Sequence, residues 1–77
     1  MSEQEWLDIF ADNLISMLDE ANMTQRDLAD ETGLSEAAIS YYLHKRKIPG
    51  IRAIVNISYA LNCDVSDLID FGDRIEW

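Results

Sequence analysis

The chain carries one cysteine, one proline and one histidine, and each scarcity removes a class of explanation. A lone Cys63 forms neither an internal disulfide nor a cysteine-based metal site, which predicts a reducing, cytoplasmic setting. Every apolar run falls short of the roughly 18–20 residues that a membrane helix requires, so no membrane association is expected. The opening Ser2-Glu3-Gln4-Glu5 is acidic where a signal peptide is basic, and no such leader is expected. No segment alternates at period two for long enough to make a strand, and repeats, low-complexity tracts and interdomain linkers are missing. His44 has no serine or cysteine partner at a catalytic spacing, and no phosphate loop or metal-ligand pattern occurs. An enzyme is not expected, nor is a cofactor, a metal or a small-molecule ligand.

Basic residues are also scarce: six Lys and Arg stand against fifteen Asp and Glu, for a formal net charge of −9. Their distribution is uneven. Residues 1–31 hold nine acids against Arg26 alone, and residues 57–77 hold five against Arg74. Residues 32–56 reverse the balance, with Lys45, Arg46, Lys47 and Arg52 against Glu36. A local positive patch can steer a phosphate backbone on an acidic domain, although the net charge weakens long-range attraction.

What remains is 77 residues, 48% hydrophobic and 27% charged, which fits one small globular domain spanning 1–77. Its core is expected over about 6–70, with 71–77 as a C-terminal tail. A chain of this size buries only about 60–65% of its unfolded surface, so its elements must pack closely.

The pattern predicts an all-α fold of five helices. Ser2 and Glu5 form a capping-box pattern, and Leu7, Phe10, Leu14, Met17, Leu18 and Ala21 recur at intervals of three and four. Asp8, Asp12 and Asp19 fall mostly off that stripe, and the helix should end near Ala21-Asn22. Thr24 with Asp27 caps a second helix through about Glu31, with Leu28 and Ala29 inward. Gly33 suits the left-handed conformation that stops a helix sharply. Ser35 caps a third helix from Glu36 to about Leu43, with Ala38, Ile39 and Tyr42 inward, and a basic loop follows from His44 to Gly50. Ile51, Ile54, Val55, Ser58 and Leu61 mark a fourth helix. Asp64 with Asp67 caps a fifth, carrying Val65, Leu68 and Ile69 and closed by Gly72. Cys63 is expected to be a buried structural thiol, Met17 and Met23 core or turn residues, and Trp6 a cover for the core edge. Phe71, Ile75 and Trp77 suggest a dimer contact at the end of the chain.

Thr24-Gln25, Leu28-Ala29, Gly33-Leu34-Ser35, Ile39-Ser40, the run Tyr42 to Pro49, and Ala60-Leu61 through Ile69 together resemble the phage repressor/Cro-type helix-turn-helix regulators, also called the xenobiotic-response-element family. The likeness covers roughly residues 7–70. The physics of the motif agrees with it: a tight turn between two short helices needs a residue free to take positive φ, and Gly33 is one. Ala29 is small where the helices approach, and Leu34 and Ile39 would fill the wedge between them.

The resemblance implies a compact lambda-repressor-like domain that places the helix 35–43 in the major groove. It implies base-edge positions at Ser35, Glu36, Ala37, Ser40 and Tyr41, and phosphate contacts from Gln25, Lys45, Arg46, Lys47 and Arg52, with His44 beside them. His44-Lys45 departs from the Asn-Gly or similar pair common in relatives, so the recognition helix ends differently here. Glu36 keeps two readings, as an acceptor for cytosine N4 or as a first-turn partner of the helix dipole. Two functions follow. One is a transcriptional regulator, a repressor acting as a homodimer on double-stranded operator DNA. The other is an acidic protein-interaction module on the same fold, antitoxin- or antirepressor-like. The positive segment favours the first and the overall charge the second.

Overall fold

The computed structural model describes residues 2–70. It contains five helices in order, α1 (Glu3–Ala21), α2 (Gln25–Thr32), α3 (Glu36–Leu43), α4 (Ile51–Leu61) and α5 (Val65–Leu68), and no strand among the described residues. Expectations that fall on Gly72, Phe71, Ile75 and Trp77 lie outside the described residues.

The starts of the first three helices follow from short polar side chains. The Ser2 hydroxyl accepts from the Glu5 N–H at 3.2 Å while the Glu5 carboxylate accepts from the Ser2 N–H, closing a capping box. Thr24 and Asp27 repeat the arrangement at α2, at 3.1 and 3.0 Å. The backbone N–H of Thr24, then its hydroxyl, and the neighbouring Arg26 hold the Asp27 carboxyl below its ordinary range. A depressed folded pKa means that this contribution is present at neutral pH and fades as pH falls through the folded value. Ser35 Oγ accepts from the Ala38 N–H at 3.0 Å and opens α3.

Helix ends rely on left-handed residues. Asn22 (φ 56°) and Asn62 (φ 53°) stop α1 and α4, each with the following N–H reaching back five residues to a carbonyl, Met23 to Leu18 and Cys63 to Ser58. Gly33 stops α2 at φ +76°. The Thr32 hydroxyl secures the same turn, donating to the Leu28 carbonyl at 2.7 Å and accepting from the Leu34 N–H at 3.2 Å. An added Cβ at Gly33 would meet nothing within 4 Å, so the demand for glycine is purely conformational. Gly33→Ala should therefore cost about 1 kcal/mol, Gly33→Val more, and Gly33→Asn least, because asparagine tolerates the left-handed region. Urea denaturation of the three variants checks the order; equal costs would mean that crowding rather than φ selects glycine.

The core is one cluster in which Phe10, Leu14, Leu28, Ile39, Ile57 and Leu68 are fully buried. Trp6 stacks on Phe10 at 5.9 Å and Tyr42 meets it edge-on at 6.4 Å, so α1 and α3 share an aromatic contact. α2 packs against α3 and α4, and α1 spans α3, α4 and α5. Asn13, inside α1, donates its side-chain N–H bonds to the carbonyls of Leu68 and Asp70 at 2.9 and 3.0 Å, tying down the end of α5.

Several inward assignments change. Ala21 is exposed, while Ile9 and Ala11 are buried on α1. On α4, Ile51 is 72% exposed, Val55 and Leu61 are half-buried, and Ala53 and Ile57 join Ile54 and Ser58 inside. Cys63 is half-buried rather than buried, with Sγ 3.9 Å from Met17 Sδ. Burial, with Asp67 and Asp64 nearby, pushes its thiol pKa up, so the thiolate is disfavoured.

Candidate nucleic-acid interface

α2 and α3 pack on each other across a turn of Gly33, Leu34 and Ser35, with Leu34 half-buried and Ile39 fully buried in the wedge. This leaves the other face of α3 to solvent: Ser35, Glu36, Ala37 and Tyr41 are all exposed. Three of them are in the cap and first turn, and Tyr41 lies one turn further along the same side. Ser40 is different. It is half-buried, and its hydroxyl lies 3.2 Å from His44 Nδ1 along its own helix, so it is less available than the other four.

His44 Nδ1 also lies 2.8 Å from the Ser40 carbonyl oxygen, a distance at which that nitrogen must carry the proton and donate. The ring's Nε2 is left for another partner, and it is a donor only in the imidazolium. After His44 the helix closes through Lys45, which takes the left-handed conformation at φ 61°. The Arg46 N–H then donates back to the Tyr41 carbonyl at 2.8 Å and the Lys45 N–H to that of Tyr42 at 3.3 Å. A glycine or asparagine at such a stop would escape the cost of about 1–2 kcal/mol that a lysine bears there.

The bases then separate. Arg46, Lys47 and Arg52 are exposed, and among the described residues none of them has an acidic partner. The Lys45 ammonium turns to α1, 3.6 Å from Asp8 Oδ1 and 3.5 Å from Asp12 Oδ1. Gln25 is half-buried at the first position of α2. The start of α2 beside it is partly filled by the chain itself, since the Thr24–Asp27 box occupies two N–H groups and holds a carboxylate there.

Two short helices across a glycine turn, an exposed outer face of α3 and a basic loop behind it form a helix-turn-helix unit. The family model of the Cro/C1-type helix-turn-helix DNA-binding domain matches residues 13–73. The chain belongs to this family. The Cro/C1-type domain is a DNA-binding module and not an enzyme. No curated protein and no solved structure matches this Cro/C1-type chain. Among its described residues no helix is long and apolar enough to cross a membrane.

Sequence reasoning missed Asp8 and Asp12 as partners of the basic loop. Their four-residue spacing on one face of α1 was visible, as was Gln4 one turn earlier, whose amide donates to Asp8 at 2.9 Å. Which loop that face meets is a tertiary fact with no local signal.

Proposed function

We propose that this DNA-binding regulator is a cytoplasmic repressor that docks α3 in the major groove of operator DNA as a homodimer. The observation that carries this reading is the exposed first turn of α3, with Arg46 and Lys47 exposed just beyond its other end. Ser35, Glu36, Ala37 and Tyr41 then read base edges, with Ser40 contributing after it gives up His44. Arg46, Lys47, Arg52, Gln25 and His44 position the domain on phosphates, and Lys45 joins them once it leaves α1. Two copies related by a two-fold axis read paired half-sites about one helical turn apart. Ile51 and Tyr59, 72% and 81% exposed on α4, are apolar surface that a second copy could cover. Residues 71–77, with Phe71, Ile75 and Trp77, are the other candidate contact.

Selection from a random duplex pool with purified protein tests the reading. The expected product is an inverted repeat with half-sites about 10 base pairs apart centre to centre. A single enriched half-site would remove the homodimer, and sequence-blind binding would remove the operator. A reporter with the selected site over its promoter distinguishes repression from activation. A second reading, the acidic interaction module, draws support from the formal charge of −9 and from the hold of Asp8 and Asp12 on Lys45. It takes over if no pool enriches and no duplex binds at low salt.

A further inference from the structure

We propose that Asp8 and Asp12 serve as an internal substitute for DNA phosphate, holding Lys45 on α1 and thereby lowering the affinity of the domain for duplex DNA. The inference rests on the reading of the loop after α3 as a phosphate-contacting segment.

Two carboxylates one helical turn apart converge on a single ammonium, at 3.6 and 3.5 Å. With both carboxylates on it, the Lys45 ammonium does not present a free positive charge to an approaching phosphodiester. Only Arg46 and Lys47 remain in this loop as positive charges facing solvent. The backbone contributes as well: with Lys45 left-handed at φ 61°, its side chain runs to α1 while its two neighbours stay exposed. Gln4 donates to the same Asp8 oxygen that faces the ammonium, steadying the carboxylate. An open groove continues the contact, with Glu3, Gln4 and Leu7 on one wall and Lys45, Arg46 and Lys47 on the other. The acidic start of α1 thus lies along the segment that must meet DNA.

The pair is built to exchange. The Lys45 side chain is 36% exposed and the two carboxylates 41% and 45%, so water and salt reach all three groups. Solvent-exposed ion pairs are weak and screened by salt. A phosphate can therefore displace the carboxylates, at the expense of part of the binding free energy. Neutralising them leaves Lys45 free for the backbone from the outset.

The test is titration of random-sequence duplex DNA against the full chain over a range of salt, with a thermal melt of each variant to confirm folding. Asp8→Asn with Asp12→Asn should tighten binding roughly five- to tenfold near 0.1 M salt. The slope of log K against log salt should steepen by up to about 0.9, the value of one added phosphate contact. Adding Lys45→Gln to that pair should remove most of the gain. Asp19→Asn with Glu20→Gln makes the same change in charge about 14 Å further along α1, and should tighten binding less than twofold.

An equal gain from the Asp19 and Glu20 pair would overturn the proposal in favour of net charge. So would a gain that survives Lys45→Gln. Weaker binding after neutralisation would mean that the carboxylates aim Lys45 at phosphate rather than withhold it, which also overturns the proposal. If folded wild type and every variant fail to bind at low salt, the phosphate-contact reading itself falls, and the proposal with it; the three earlier failures leave that reading intact.

Discussion

Phe10→Ala should bring the domain close to unfolding. The ring is fully buried, stacked under Trp6 and capped edge-on by Tyr42, so its removal opens a cavity between α1 and α3. Truncation of a buried phenylalanine costs about 3–5 kcal/mol. A chain of this length has only about 4–12 kcal/mol of total stability. Neither neighbour can close the gap easily, because Trp6 is anchored one turn earlier on the same helix and Tyr42 is itself buried on α3. Phe10→Leu keeps much of the volume and should cost markedly less. Urea denaturation of the two variants gives the comparison, read from the midpoints at a common slope. A loss under 1 kcal/mol for Phe10→Ala would place the packing centre elsewhere, around Leu28 and Ile57.

Helix starts were readable because their signals are local. Ser2 with Glu5, Thr24 with Asp27, and Ser35 each bond within three residues, and the structure contains all three bonds. Gly33 was equally clear, since few residues tolerate a φ of +76°. Lys45 is the opposite case: nothing in a lysine announces a left-handed conformation, and its partners are 33 and 37 positions away. The inward face of α4 misled for a third reason. Ile51, Ala53, Ile54, Val55, Ile57, Ala60 and Leu61 surround the helix with apolar groups, so periodicity alone admits more than one buried face. Contact with α2 and α5 makes the choice, burying Ala53 and Ile57 and leaving Ile51 out. At the interface, the charge of residues 44–47 pointed to the loop, but the withdrawal of Lys45 from it depends on α1.

Replacing Arg46 and Lys47 with Ala should produce the largest loss of DNA binding in this domain. With Lys45 held on α1, these two exposed side chains are the free positive charges of the loop. If each makes one phosphate contact, removing both should flatten the slope of log K against log salt by about 1.8. Near 0.15 M salt that corresponds to a loss of roughly 30-fold, similar for every sequence because phosphate carries no base information. Glu36→Gln provides the contrast. It removes a negative charge from the first turn of α3, so binding to all duplexes should tighten modestly. If the carboxylate also accepts from a cytosine, preference at one base pair should shift by about 1–3 kcal/mol toward adenine, which glutamine pairs with. A uniform gain across sequences would leave Glu36 as a helix-dipole residue. The Arg46 and Lys47 result is decisive in a different way. If the double variant binds as tightly as wild type with an unchanged salt slope, the loop does not face phosphate, and the orientation of α3 on DNA must be drawn again from Gln25 and Arg52.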